Sequence, residues 1–109
     1  PWYWWADVPV AHHNSIYIKK GTYTDGEPAV KYRGIFINDE WPCMGNWTTR
    51  KFGGFNSKMY VHIYELLLRL KANFLWPAMW SAAFYADDPQ NSSLADEMGI
   101  PLRVREKEE

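Results

Sequence analysis

The stretch Val30-Lys-Tyr-Arg-Gly-Ile-Phe-Ile-Asn-Asp-Glu40 sets the architecture of this chain. It alternates between apolar and polar residues at first and then becomes a continuous apolar run, which is typical of a parallel strand buried on both faces. The run ends abruptly in Asn38, Asp39 and Glu40. We therefore expect a buried strand with polar side chains at its carboxyl end.

A helix and a second strand follow this first strand. Apolar residues recur at helical spacing over 59–70, and either Asn56 or Ser57 is suited to cap the start of the helix. Residues 72–76, Ala-Asn-Phe-Leu-Trp, are typical of a second buried strand that Pro77 terminates. Strand, helix and strand together predict a β-α-β unit, whose strands run parallel.

The rest of the chain gives weaker signals. Residues 15–19 have the composition of a strand. Residues 23–28 form a turn cluster, which we take as a boundary between two structural units. Residues 41–54 are expected to form a long loop. A helix is predicted over 93–98, with Gly99 as the residue after its C-cap, and residues 100–104 are expected to begin a third strand. Asp87-Asp88-Pro89 suits a turn or the approach to a helix.

Length and composition exclude several classes of protein. A chain of 109 residues forms at most one small domain. Its net charge of −1 argues against a nucleic-acid partner bound through bulk charge. No apolar run approaches the roughly 20 residues that a membrane-spanning helix needs. A single Cys excludes an internal disulfide, and no spacing of His or Cys predicts a metal site or a cofactor.

Aromatic residues are unusually frequent, at 17% with seven Trp. Composition alone favours the interpretation that they fill a core, and stacking on sugar rings is the alternative. In parallel α/β proteins a ligand lies at the carboxyl ends of the strands. Carboxylates after the first strand and the indoles of Trp76 and Trp80 after the second would meet there, so we expect a carbohydrate site at this edge.

Asp39 and Glu40 make a poor pair of catalytic carboxylates. Adjacent residues of an extended strand point to opposite faces. Glycosidases need two carboxyl groups about 5–5.5 Å apart for retention or about 6.5–9.5 Å apart for inversion. A partner carboxylate is thus expected from elsewhere. Equally open is a structural role, in which Asp39 or Glu40 caps the loop or pairs with Arg50 or Lys51.

Five runs of the sequence together resemble the xylan α-glucuronidases of glycoside hydrolase family 115. The resemblance covers nearly the whole chain, in order, through the following runs: Pro1-Trp-Tyr-Trp-Trp-Ala-Asp-Val-Pro-Val10, Pro28-Ala-Val-Lys-Tyr-Arg-Gly-Ile-Phe-Ile-Asn-Asp-Glu40, Lys51-Phe-Gly-Gly-Phe-Asn-Ser-Lys58, Glu65-Leu-Leu-Leu-Arg-Leu-Lys-Ala-Asn-Phe-Leu-Trp-Pro-Ala-Met-Trp80 and Leu94-Ala-Asp-Glu-Met-Gly-Ile100. The sequence departs from the family after Ile100, where the family continues into a Gly-Thr-Ser-His-His-Glu-Pro motif, and at Trp41, where the family has a small residue.

The resemblance implies an α/β fold. Residues 1–28 would be the end of a small N-terminal α/β domain, and residues 29–109 would be the first two β/α units and the start of a third unit of a (β/α)₈ TIM barrel. A whole barrel takes about 250 residues, so 109 cannot close one. The chain is accordingly expected to be a fragment that is inactive alone and that folds poorly and aggregates through exposed strand edges.

The resemblance also implies an activity and a set of site residues. Such enzymes remove glucuronic acid or its 4-O-methyl ether from xylan with inversion, need no cofactor, act outside the cytoplasm, and in some full-length members form homodimers. Asn38 and Asp39 match positions that line the uronic acid pocket, with the role of Asp39 open and Glu40 a weaker catalytic candidate. Trp76 and Trp80 match the rim of that pocket.

Glucuronoxylan or aldouronic oligosaccharides would be the partners, with no nucleic acid and no membrane. A function of a different class stays open beside the enzyme. It is a stand-alone, aromatic-rich carbohydrate-binding module that stacks sugars on four indoles, those of Trp41, Trp47, Trp76 and Trp80.

Overall fold

The computed structural model describes residues 11–78 and 82–103. Its elements, in chain order, are β1 (Gly34–Ile37), α1 (Cys43–Phe52), α2 (Ser57–Arg69), β2 (Phe74–Pro77), α3 (Phe84–Asp87) and α4 (Gln90–Glu97). The predicted mixed α/β class is confirmed. The aromatic run at residues 1–10 and the candidate Trp80 lie outside the described residues.

The two strands form a parallel pair, as the sequence predicted. The register runs from Gly34 opposite Phe74 to Ile37 opposite Pro77. The ladder continues past the strand ends, because the N–H of Ala78 donates to the carbonyl of Ile37 at 2.8 Å. Gly34 is required for this pairing, since a Cβ at that position would lie 1.8 Å from the carbonyl oxygen of Phe74.

Helix α2 is the second of the two helices between the strands, and it supplies most of the core. Asn56 caps it, with its side chain accepting from the N–H of Met59 at 3.3 Å, and Arg69 pairs with Glu65 at 2.9 Å on the outer side. The predicted helix and cap are confirmed. Fully burying one of its large apolar side chains is worth about 1.5–3 kcal/mol. The buried side chains of the core are Met59, Tyr60, Ile63, Tyr64, Leu67, Leu75, Phe84, Ala95 and Ile100.

Only one face of the two-stranded sheet is covered by described residues. Leu75 is fully buried in the same core as the side chains of α2, and Ile37 packs against that core. On the opposite face Phe36 lies edge-on to Trp76, with ring centroids 5.2 Å apart, and is 47% exposed. The expectation that the first strand is buried on both faces is therefore wrong for this chain, because no layer of described residues packs on the Phe36 face.

The C-terminal part of the chain adds a helix and the beginning of a third strand. Helix α4 starts three residues earlier than predicted, and Gly99 follows its C-cap with a φ of 71° in the left-handed region, as expected. Leu102 then forms a single parallel bridge with Leu75, flanked by a hydrogen bond of 3.0 Å from the N–H of Arg103 to the carbonyl of Leu75. The third strand thus begins beside β2, and Val104 lies outside the described residues.

Two segments differ from the sequence-based expectation. The predicted loop at 41–54 contains helix α1, in which Gly45 lies against the indole of Trp41 and the buried hydroxyl of Thr48 donates to the carbonyl of Gly54 at 2.8 Å. Met44, Trp47 and Phe52 also pack against the core, and this tertiary packing overrides the low helix propensity of the segment.

Residues 15–19 are not a strand, and Ile16, Tyr17 and Ile18 are 79%, 92% and 81% exposed. A strand needs a partner for its backbone, and no described strand pairs with this segment. Among the described helices, none is both long enough and apolar enough to cross a membrane.

Candidate functional site

The carboxyl ends of β1 and β2 lie side by side. The pairing of Ile37 with Pro77 sets the two strand ends level, so the residues that follow each strand emerge at one edge. Asn38 and Asp39 follow β1, and Ala78 follows β2. The structure therefore brings the end of β1 and the described end of β2 together, as expected for parallel strands.

Side chains after β1 alternate in burial. Asn38 and Glu40 are exposed, whereas Asp39 is 0% exposed. Asp39 thus shares the covered side of the sheet with Ile37, which packs against the core. The two adjacent carboxylates therefore lie on opposite faces, as expected for an extended chain, and Asp39 is the one directed toward the helices.

The carboxylate of Asp39 binds the chain that follows β2. Its Oδ2 accepts the backbone N–H of Ala82 at 2.8 Å. Ala82 lies two residues before the start of α3, so the contact resembles the loop-capping role that the sequence left open. Catalytic or substrate-binding roles for Asn38, Asp39 and Glu40 stay predictions.

The phenol of Tyr60 lies in the electrostatic field of Asp39. Burial raises the pKa of Tyr60 well above its usual value, and the negative carboxylates of Asp39 and Asp87 raise that pKa further. Tyr60 therefore keeps its proton at every physiological pH. Sequence reasoning placed Tyr60 on the apolar face of a helix and did not connect it with Asp39, since no short-range pattern links residues on different elements.

Trp76 lies on the uncovered sheet face beside Phe36, one residue before the end of β2. The guanidinium of Arg103 is 4.6 Å from the centroid of its ring, within the range of a cation–π interaction worth about 0.5–1 kcal/mol at an exposed site. The indole Nε1 is buried, and no residue of 11–78 or 82–103 accepts a hydrogen bond from it. Neither Arg103 nor Phe36 was predicted from the sequence as a neighbour of Trp76. Strand alternation after the Leu102 bridge is the signal that could have placed Arg103 on this face.

A second polar cluster has a structural role. The Oδ2 of Asp88 accepts the N–H of Ser57 at 2.8 Å, and its Oδ1 accepts the N–H of Gln90 at 3.0 Å. The hydrogen bond from Ser57 makes the largest contribution to lowering the pKa of Asp88, and the hydrogen bond from Gln90 lowers it further. The expectation that Asp87-Asp88-Pro89 forms a turn or the approach to a helix is confirmed for Asp88 and Pro89, which lead into α4, whereas Asp87 is the last residue of α3. In residues 11–78 and 82–103, no three His, Cys, Asp or Glu side chains converge to hold a metal ion.

Two parallel strands are joined by helices α1 and α2, and a buried carboxylate and an indole lie at their neighbouring ends. This arrangement defines a mixed α/β protein with a candidate site at the carboxyl edge of its sheet. A family model for glycosyl hydrolase family 115 matches residues 25–108, which is most of the chain. The chain belongs to this family, as its sequence motifs indicated, and its sequence is that of a glycoside hydrolase. No curated protein matches it.

Proposed function

We propose that the chain is part of an inverting α-glucuronidase and contributes to the pocket that holds the (4-O-methyl)-glucuronic acid branch of xylan. Membership of glycosyl hydrolase family 115 is the observation that carries this proposal. The juxtaposition of the two strand ends supports it, because ligands of parallel α/β proteins bind at that edge.

The charge and chemistry around Trp76 suit an acidic sugar. Trp76 offers an indole, and Arg103 beside it supplies a guanidinium, the group best matched to a carboxylate. Asn38 is exposed after β1 and can donate to and accept from sugar hydroxyls. Trp80, which belongs to the proposed rim, lies outside the described residues.

The uncovered sheet face supports an incomplete barrel. In a (β/α)₈ barrel the inner faces of the strands pack against one another, and a whole barrel takes about 250 residues. Here the face that carries Phe36 and Trp76 has no described layer on it. We therefore propose that residues 29–109 are the first two β/α units and the start of a third, after an N-terminal domain that ends near residue 28. The isolated chain would then be inactive.

The polymer substrate also bears on location and assembly. Xylan lies outside cells, so the parent enzyme is proposed to be secreted or extracytoplasmic. Glucuronoxylan and aldouronic oligosaccharides are its proposed partners. Homodimerisation is proposed for the full-length protein alone.

Binding to Trp76 tests the proposed substrate class. The indole N–H of Trp76 is followed by ¹H–¹⁵N NMR while an aldouronic oligosaccharide is added at millimolar concentration, with the matched neutral xylo-oligosaccharide as control. Trp76→Phe assigns the signal. We expect a shift with the acidic sugar alone. The absence of any shift, or an equal shift with both sugars, contradicts a uronic acid pocket here.

A turnover assay tests the inactivity of the isolated chain. Release of glucuronic acid from glucuronoxylan is measured with the purified 109-residue chain and with its Asp39→Ala variant. We expect no release from either. Release that Asp39→Ala abolishes would show that the chain carries a working site, most simply by self-association, and would overturn this part of the proposal.

A stand-alone carbohydrate-binding module is the second candidate, and the 55% exposure of Trp41 favours it. Trp47, however, is partly buried against the core and lies edge-on to Phe52 at 5.5 Å. One of the four indoles invoked for stacking is therefore committed to packing. Binding of neutral xylan as tight as that of glucuronoxylan, lost in Trp41→Ala with the fold intact, would favour the module.

A further inference from the structure

We propose that the bond between Lys20 and Gly21 is a processing site, cut by an endopeptidase that recognises paired basic residues. The proposal goes beyond the sugar chemistry of the strand ends and does not depend on it. Three observations carry it. Two adjacent cationic side chains are exposed there, the backbone around them is open to a protease, and the chain after the cut is held to the fold by its own contacts.

The chain has two pairs of adjacent basic residues, Lys19-Lys20 and Arg50-Lys51. Both members of the first pair are exposed. No carboxylate of residues 11–78 or 82–103 forms a salt bridge with either of them. An endopeptidase that cleaves after a basic residue binds that side chain in a pocket that carries a carboxylate. The first pair is therefore free to enter such a pocket.

The backbone around the first pair is irregular and unpaired. Residues 11–32 contain no helix or strand and are exposed except where they approach β1. None of their backbone N–H groups donates to a backbone carbonyl of the described residues. The carbonyl of Lys19 accepts the hydroxyl of Tyr23, an exposed contact that water can replace. Exposed irregular segments are preferred sites of proteolytic cleavage, because no folded structure must open first.

The second basic pair is protected by the fold. Arg50 and Lys51 lie in the last turn of α1. The residue that follows them, Phe52, belongs to the same helix and packs against the core. A protease that cuts after Lys51 must unwind this turn and remove Phe52 from the core, whereas a cut after Lys20 needs no such opening. The same dipeptide chemistry thus occurs once in an open segment and once in a closed one.

The chain that follows the proposed cut is anchored independently. The carboxylate of Asp25 pairs with the ammonium group of Lys71, and the carbonyl of Lys31 accepts the side-chain amide of Asn73 at 2.9 Å. Both contacts join it to the turn before β2. The match to the family model also begins after the cut. Cleavage would therefore release residues 1–20 and leave the folded elements joined as they are.

The reaction is the hydrolysis of one peptide bond. The bond between the carbonyl carbon of Lys20 and the nitrogen of Gly21 breaks. The oxygen of water stays on Lys20 as a new carboxylate, and the nitrogen of Gly21 takes up a proton as a new amino terminus. The products are the fragments 1–20 and 21–109.

Limited proteolysis of the purified 109-residue chain, followed by intact mass spectrometry, tests the site. Two probes are used: trypsin, which needs one basic residue, and a subtilisin-like endopeptidase specific for paired basic residues. We expect trypsin to cut first at Lys19 or Lys20, and the second enzyme to cut first after Lys20. Cleavage there should be about tenfold or more faster than cleavage after Lys51.

Three substitutions of exposed side chains separate the contributions. Lys20→Gln should block the paired-basic enzyme, and Lys19→Gln should block that enzyme while trypsin still cuts after Lys20. Arg50→Gln is the matched control, because it breaks the other basic pair, and cleavage after Lys20 should be unchanged. Urea unfolding of fragment 21–109 is expected to match that of the uncut chain.

Four results would overturn the proposal. A first cut outside the Lys19-Lys20 pair, or equal rates after Lys20 and Lys51, would show that this segment is not selectively open. Cleavage of Lys19→Gln by the paired-basic enzyme as fast as that of the parent would show that the pair is not what is recognised. A fragment 21–109 that is less stable than the uncut chain would show that residues 1–20 belong to the same folded unit.

Discussion

Replacing Gly34 by Ala tests the strand pairing that defines the fold. The added Cβ would lie 1.8 Å from the carbonyl oxygen of Phe74, whereas ordinary contact begins at 3.4 Å. Relief requires the strands to separate by about 1.6 Å, a third of the normal spacing of about 4.8 Å, which breaks their hydrogen bonds. We expect a loss of about 3 kcal/mol in the free energy of unfolding, the upper end of the range for overpacking. This corresponds to a rise of about a hundredfold in the unfolded fraction.

Urea unfolding followed by tryptophan fluorescence at low protein concentration measures this loss. Gly21→Ala is the matched control, because its Cβ would lie at an ordinary 3.4 Å from the Tyr23 hydroxyl in an exposed segment. The control is expected to change the free energy of unfolding by less than about 0.5 kcal/mol. A Gly34→Ala variant that loses less than about 1 kcal/mol would refute the close approach of the two strands.

Three further changes have defined outcomes. Tyr64→Phe removes a buried hydroxyl that donates to the carbonyl of Asn91 at 2.6 Å, and we expect urea unfolding to show a loss of about 1–2 kcal/mol; an unchanged stability would contradict this bond. Asp88→Ala is expected to destabilise the chain at neutral pH and to match the parent in strong acid. Folding lowers the pKa of Asp88 below its usual value of 3.8. The stabilisation from its carboxylate is therefore complete above pH 3.8 and is lost as the pH falls through the folded-state pKa. A stability difference that is independent of pH in urea titrations would count against this role. Phe36→Lys places a charge on the uncovered sheet face, and sedimentation velocity should then show less self-association; unchanged association would exclude that face as its cause.

Local patterns predicted the elements that depend on local interactions. The apolar spacing of α2, its Asn56 cap and the left-handed Gly99 after α4 are all short-range signals, and all are confirmed. Helix α1 was missed because its sequence has low propensity. It is stabilised by the packing of Met44, Trp47 and Phe52 against the core, which depends on residues far away in the sequence.

For the site, the sequence predicted which strand ends meet and that neighbouring carboxylates diverge. It could not predict which carboxylate faces the helices, because alternation fixes relative orientation and leaves the absolute side undetermined. Arg103 beside Trp76 was missed for a similar reason, since their contact depends on a single bridge between distant residues. The strand expected at residues 15–19 has suitable chemistry, and a strand forms only where another backbone pairs with it.

The shared carboxylate of Asp88 has a consequence for the order of folding. Helix α4 spans only Gln90–Glu97, and isolated helices shorter than about 12–15 residues are marginal in water. The Asp88 carboxylate accepts the N–H of Gln90 locally, but it is tied to the rest of the fold through the N–H of Ser57 at the start of α2, so the short helix gains this tertiary anchor only when the longer one is in place. Helix α4 should therefore form after α2 has docked, and its amides should become protected from hydrogen exchange in the same kinetic phase as Ser57 or later.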